Sequence, residues 1–180
     1  KNKLDNCLEF VTQVPGTVIC NVHAKYQTMD DGVNNVGVGM DALRGTAADG
    51  NDGSYNVGIG NKPLQALTDG DFNVCIGNAA GVAITSGSKN ILIGAIDGVT
   101  TNSFNIGIGH DVYDGSYSGT GSVAIGHECM LVAAAADYNV GVGYNALRAL
   151  SSGDNNVAVG TSALSQHTTG ERNIAIGYGA

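Results

Sequence analysis

The sequence predicts an all-β solenoid, a rod of stacked coils, and three observations carry that expectation. A five-residue core of the form Asn, Val/Ile, x, Val/Ile, Gly recurs nine times in 180 residues. It starts at Asn35, Asn56, Asn73, Asn90, Asn105, Ser122, Asn139, Asn156 and Asn173, so the period is constant except for a longer first interval and a shorter fourth one. Self-similarity at a held period is the mark of a repeat architecture. Within each core the β-branched residues alternate with others that are mostly small, as in Val36-Gly37-Val38, Ile106-Gly107-Ile108 and Val157-Ala158-Val159. Alternation with period two is the pattern of a strand with unlike faces. The third observation is compositional. There are 28 Gly and only 2 Pro, with no glycine at every third residue, which excludes collagen and leaves glycine to serve turns and close approaches.

Taken along the chain, residues 1–31 stand outside the repeat. Two β-rich stretches, Leu8 to Val14 and Thr17 to Val22, flank the turn dipeptide Pro15-Gly16. A solenoid needs its first coil covered, so this segment is expected to be a cap or the joint to an upstream domain. Residues 32–180 form the repeat domain, which is expected to run on beyond residue 180. Each coil opens on a corner, occupied in turn by Gly32, Gly53, Gly70, Gly87, Asn102, Gly119, Ala136, Gly153 and Gly170. The preference for Gly and then Asn predicts a left-handed backbone there. The core strand follows and closes on Gly39, Gly60, Gly77, Gly94, Gly109, Gly126, Gly143, Gly160 or Gly177. Beyond it comes a second apolar pair, such as Ala42-Leu43, Pro63-Leu64, Val112-Tyr113, Cys129-Met130, Ala146-Leu147 and Ala163-Leu164. One short strand and one further apolar segment per repeat describe a two-sided coil. Nine such coils at about 4.8 Å each make a rod on the order of 40 Å long. The core Asn residues, stacked coil on coil, are expected to form a side-chain ladder that satisfies backbone groups at the turns.

The two faces of the strand call for different partners. Val and Ile are expected to fill the interior of the coil. The opposite face carries Gly37, Gly58, Cys75, Leu92, Gly107, Ala124, Gly141, Ala158 and Ala175. A small, uncharged face suits close approach of another backbone, so these residues are the expected subunit interface of a fibrous homotrimer. The plainer alternative is that glycine here only eases tight coil curvature.

Cores worded Asn156-Val157-Ala158-Val159-Gly160 and Asn173-Ile174-Ala175-Ile176-Gly177, the first followed by Thr161-Ser162-Ala163-Leu164, resemble the head repeat of YadA-type trimeric autotransporter adhesins. Similar repeats occur in phage and viral tail-fibre proteins, and the resemblance covers roughly residues 32–180. It implies a left-handed parallel β-roll, three of which pack side by side. In adhesins such heads bind host matrix proteins; in tail fibres they form shafts and receptor-facing segments. This chain departs from the adhesin head in its longer repeat and in the insertion Ala47-Ala48-Asp49-Gly50-Asn51-Asp52 between the first two cores. Those departures, with the recurrent Ala-Leu, lean toward the tail fibres.

Chemistry is sparse. Sixteen acidic against eight basic residues give net charge −8, the wrong sign for a nucleic-acid or anionic-membrane binder. No apolar run is long enough to span a bilayer, and no basic segment leads into an apolar one as in a signal peptide. The Gly-x-Gly pairs belong to the repeat and never extend to a dinucleotide fingerprint. Cys75 and Cys129 occupy repeat positions and read as buried structural thiols. Cys7 and Cys20 leave three arrangements open: an intrachain bridge, an inter-subunit bridge, or two free thiols. No lateral groove of carboxylates and bases suggests a polysaccharide lyase, and the threonines form no single column as in ice-binding solenoids. Asp49, Asn51 and Asp52 lack the bidentate Glu of a calcium loop.

One constellation stands apart. His110-Asp111 and His127-Glu128 are one repeat apart at the same coil position, so their imidazoles should stack about 5 Å apart. Such a ladder could hold a metal or form a pH-sensitive patch; the plainer reading is two exposed turn positions that happen to be His, and no metal or cofactor is expected. The expected function is therefore non-enzymatic: a structural segment of a trimeric extracellular or virion fibre, its main partner being itself. The alternative is an adhesin head that binds a cell-surface receptor or glycan through coil turns such as Asp111 to Tyr117 and Ala47 to Ser54.

Overall fold

The structure is a computed structural model that describes residues 34–45, 52–114 and 117–180. The expected cap over 1–31, with Cys7 and Cys20, lies outside the described residues, as do Asp49 and Asn51. Among the described residues nine strands follow one another: β1 (Val36–Val38), β2 (Val57–Ile59), β3 (Val74–Ile76), β4 (Ile91–Ala95), β5 (Ile106–His110), β6 (Val123–Ile125), β7 (Val140–Val142), β8 (Val157–Val159) and β9 (Ile174–Ile176). They form a single parallel sheet in sequence order, each strand beside the strand of the next coil. Register never slips. Val57 faces Val74, Ile108 faces Ile125 and Ala158 faces Ala175, so each repeat position becomes a column along the rod. No helix occurs among the described residues. The fold is an all-β solenoid.

The core Asn sets this register. The backbone N–H of Asn73 donates to Asn56 Oδ1 at 2.8 Å, and the Asn73 side-chain amide donates to the Gly87 carbonyl, at the corner of the following coil, at 2.8 Å. Asn90 repeats the pattern with Asn73 Oδ1 and the Asn102 carbonyl, and Asn156 with Asn139 Oδ1 and the Gly170 carbonyl. Ser122 replaces Asn without breaking the ladder: its hydroxyl accepts from the Asn139 N–H at 3.0 Å and reaches the Ala136 carbonyl at 3.3 Å. From Asn56 to Asn156 the column is fully buried. A buried amide is tolerated only when its hydrogen bonds are made, and here they are made to the neighbouring coils.

The other side of the coil is built of turns rather than strand. Backbone bonds still run from coil to coil there, as from Leu64 N–H to the Ala80 carbonyl and from Leu147 N–H to the Ala163 carbonyl. Left-handed backbone falls on alternate residues in this segment, for example Asn145 (φ 57°) and Leu147 (φ 52°), or Asp111 (φ 55°) and Tyr113 (φ 53°). A non-glycine residue in that region costs about 1–2 kcal/mol. Burial of the side chain outweighs it: Leu64, Tyr113, Met130 and Leu147 adopt it and are fully buried. Burying a side chain of that size contributes about 1.5–3 kcal/mol.

The corner glycines differ from expectation. Gly53, Gly70 and Gly153 do not adopt left-handed backbone, and neither do Asn102 and Ala136 in the same column. What excludes a side chain is stacking: a Cβ on Gly53 would run into the Gly70 carbonyl oxygen, and one on Gly70 into that of Gly87. The left-handed residue comes two positions later, immediately before the core Asn, and is usually large: Tyr55, Phe72, Lys89, Phe104, Tyr138 or Arg172. Glycine is required by conformation at the end of the strand. Gly143, for instance, has φ 138°, with the carbonyl of Gly160 where its Cβ would go.

The short fourth interval, from Asn90 to Asn105, has its own accommodation. Its strand extends to Ala95 and pairs with Gly109 and His110 as well. Leu92 and Ile96 fill the interior there, and Tyr113 stacks on Tyr117 at 4.2 Å between centroids. Gly107 makes room for them, since a Cβ would press on Leu92, Ile96 and Tyr113.

The ladder gives a graded test. Asn73→Ala leaves the Asn90 N–H and the Gly87 carbonyl without partners and should cost about 2–6 kcal/mol, at about 1–3 kcal/mol for each of the two buried unsatisfied groups. Asn73→Ser should cost clearly less, because Ser122 shows that a hydroxyl can fill both roles. Urea unfolding of the two variants checks this; equal midpoints for Ala, Ser and the parent would remove the ladder from the account.

Candidate functional site

The strand faces are the reverse of the expected assignment. Gly58, Cys75, Leu92, Gly107, Ala124, Gly141, Ala158 and Ala175 are buried inside the chain's own coil, and Gly37, in the first described coil, is half-buried with Leu43 beside it. They are not a surface that another subunit could touch. The physical reason is the thinness of the coil. The turn side sends Leu43, Leu64, Tyr113, Met130 and Leu147 across the interior, and only small residues fit opposite them. Gly58 would press a Cβ on Leu43 and Pro63, and Gly141 on Cys129 Sγ. Cysteine and glycine are complementary in this core, Cys129 with Gly141 and Cys75 with Gly81.

Val and Ile therefore point outward. Among the described residues the exposed large hydrophobic side chains are Val36, Met40, Tyr55, Ile59, Phe72, Ile91, Ile93, Phe104, Val132, Tyr138, Tyr144, Val159, Ile174, Ile176 and Tyr178. All except Val132 lie on the outer face of the sheet or in the columns along its two edges. One edge column is the left-handed residue before the core Asn. There the rings of Tyr55 and Phe72 stack at 4.8 Å and 2°, Lys89 Nζ lies 4.8 Å from the Phe104 ring, and the Tyr138 ring covers Gly121. Sequence reasoning missed this column, although Tyr55, Phe72, Phe104 and Tyr138 share one offset from the core Asn. The other edge is the residue after the strand-ending glycine.

Carboxylates frame the face and stay off it. Asp71, Asp137 and Asp154 stand two residues before their core Asn and accept backbone N–H bonds from the preceding coil: Asp71 Oδ1 from Ser54 at 2.7 Å, Asp154 Oδ1 from Asp137 at 2.8 Å. Ser88 and Ser103 serve the same ladder through their hydroxyls. This second ladder was also missed, and its signal was the run of Ser, Asp, Thr and Glu at that offset from residue 54 to 171. Asp41, Asp111 and Glu128 line the opposite border.

The imidazole column lies on that border. His110 and His127 stack with centroids 5.6 Å apart and ring planes 7° apart, and Tyr144 continues the stack at 5.5 Å from His127. His110 Nδ1 is 2.9 Å from Asp111 Oδ2, and His127 Nδ1 is 3.8 Å from Glu128 Oε1. Arg148 Nε holds Glu128 Oε2 at 2.7 Å. The segment Asp111 to Tyr117, expected as an exposed loop, instead sends Val112, Tyr113 and Tyr117 into the core and leaves Asp111 and Asp114 outward; residues 115–116 are outside the described set. Of Ala47 to Ser54, residues 47–51 are likewise outside it.

Cys75 and Cys129 are free and buried, as the repeat suggested. Burial pushes the Cys129 thiol up to about 12 and raises Cys75 further, with weaker opposing backbone hydrogen bonds from Ile125 and Leu92 respectively. Neither is a nucleophile near neutral pH. Comparison with protein-family models, curated proteins and solved structures finds no match.

Alkylation tests the thiols. At pH 8 iodoacetamide should leave the Cys75 and Cys129 peptides unmodified in the native protein and label both in urea, read by mass spectrometry; native labelling of either would place it outside the core. Because the folded pKa lies above the unfolded value, the stabilisation is complete below about 9 and is lost as pH rises toward 12, so the urea midpoint should fall across that window.

Proposed function

We propose that this chain is a structural segment of a homotrimeric fibre, extracellular or carried on a virion, whose outward Val/Ile face is the contact between copies. The observation that carries the reading is the apolar sheet face, bordered by carboxylates and running the length of the rod. About 40 Å of stacked strands by roughly 15–20 Å of face amounts to some 600–800 Å² per chain, comparable to one side of a standard protein interface. An apolar centre with a polar rim is the ordinary anatomy of such an interface. Patches of this size are rarely left to water on a monomer. Self-association also suits the charge. With no acidic residue on the face, copies of a chain of net charge −8 can approach there without stacking carboxylate on carboxylate.

A trimeric rod is a spacer. Its stiffness follows from coils that each bond to both neighbours, and no step of catalysis is assigned to it. The resemblance of the Asn-x-Ala-Val/Ile-Gly wording to tail-fibre and adhesin-head repeats supports three copies, the left-handed parallel β-roll and the extracellular or virion setting.

Light scattering of the full chain should give three times the 18.2 kDa chain mass. Ile93→Asp with Val159→Asp should shift the protein to monomer while preserving its β-sheet circular dichroism. Val132→Asp, exposed but off the face, should leave the trimer intact. A wild-type monomer at micromolar concentration would sink the proposal. Pull-downs on cell surfaces, glycans and collagen should recover nothing if the segment is a shaft, and specific capture would favour the adhesive head.

A further inference from the structure

We propose that His110, Asp111 and His127 form a surface site for a divalent transition-metal ion of the zinc class, one per chain, at the border of the sheet face. The argument starts from placement. Unbroken register puts two imidazoles in consecutive coils at the same column, and the left-handed backbone at Asp111 (φ 55°) turns its carboxylate back to His110. One nitrogen from each ring and one oxygen of Asp111 all lie within 4.8 Å of one another. Among the described residues no other group of three His, Cys, Asp or Glu side chains meets that condition.

Metal-ligand bonds of about 2.0–2.2 Å put the ligands of a tetrahedral ion about 3.4 Å apart, so the site must close by somewhat more than an ångström. Closing is a matter of side-chain rotation, because the side chains of His110 and His127 are 64% and 45% exposed and nothing in the core holds them. A water supplies the fourth ligand, as in zinc sites with three protein ligands.

The two rungs of the column differ in a way that assigns roles. Glu128 is committed to Arg148 through one oxygen, and its other oxygen stands 3.8 Å from His127 Nδ1, beyond hydrogen-bond reach, so it lies outside the ligand set and can serve His127 only as an outer partner once the rings rotate inward. Among the described residues the Asp111 carboxylate is paired only with the His110 ring, through Oδ2, which leaves its other oxygen to ligate. Two imidazoles and one carboxylate favour zinc, copper or nickel over calcium or magnesium, which prefer oxygen. The net charge of −8 draws cations to the rod in general, and the imidazoles select among them.

The experiment is a zinc titration by calorimetry on the full, untagged chain, alkylated in its native state so that exposed thiols do not contribute. The same coil column carries Asn61 and Asn78, so His110→Asn and His127→Asn install a residue the fold already accepts there. The wild type should bind one zinc ion per chain in the micromolar range, and each variant that removes a ligand, His110→Asn, His127→Asn or Asp111→Asn, should bind at least about tenfold more weakly, the lower bound that loss of even an outer partner sets. Glu128→Gln, with Arg148 still present, should lose less than Asp111→Asn. Circular dichroism of every variant should match the parent. Absence of zinc binding, or equal binding by a His110→Asn/His127→Asn double variant with unaltered circular dichroism, overturns the site. An Asp111→Asn variant that binds as the wild type does overturns the three-ligand assignment. None of these readouts depends on how many copies assemble.

Discussion

Everything in this rod depends on one repeated interaction, the buried carboxamide that accepts from the next coil's core N–H while it donates to that coil's corner carbonyl. A parallel stack of very short strands has few hydrogen bonds with which to choose its register, and a slip of one residue would exchange its two faces. Asn removes the ambiguity, because both ends of its amide have partners only in the observed register. Once that is fixed, every repeat position becomes a column. The Val/Ile face, the aromatic edge, the second ladder of Asp and Ser, and the stacked imidazoles all follow from it.

Close stacking then dictates the composition. Adjacent coils approach so tightly that a Cβ on Gly53 or Gly143 would occupy the place of a carbonyl oxygen in the next coil. The glycine excess is therefore mainly a cost of proximity, and at the strand end also of backbone conformation. The interior obeys a similar limit. So short a coil encloses a slot one side chain thick, so large residues on the turn side demand small ones on the strand, and where one strand carries Leu92 its neighbour in the next coil retreats to Gly107. Packing is settled between neighbours along the rod, and stability should behave as a sum of coil and nearest-neighbour terms.

Much of this was legible in the residues, and the exceptions share a cause. The period, the strands, the Asn ladder, the buried cysteines and the stacked histidines all follow from spacing alone. The direction of the faces did not, because alternation with period two says that Val57 and Gly58 point opposite ways and is silent on which points inward. The usual inference, that the larger apolar residue is inside, failed because the coil is too thin to hold it. The corner glycines were misread for a related reason: a Gly column looks the same whether it answers a left-handed φ or the carbonyl of the next coil. The aromatic edge was hidden by its backbone, since bulky Tyr55 and Phe72 occupy left-handed positions that propensity would give to Gly or Asn.

Function in such a rod is confined to columns that the architecture leaves free. Core, Asn and corner columns admit little change, since each residue there is constrained by two neighbours at once. The column after the strand-ending glycine holds Met40, Asn61, Asn78, Ala95, His110, His127, Tyr144, Thr161 and Tyr178, a spread that no packing requirement would allow. It is the place where new chemistry costs least, and because register is fixed, any two residues placed in successive coils there meet at one coil spacing. A pair of histidines needs no loop to bring it together and no core to hold it. The same ladder that fixes the register converts a coincidence at one sequence interval into a defined three-dimensional pair.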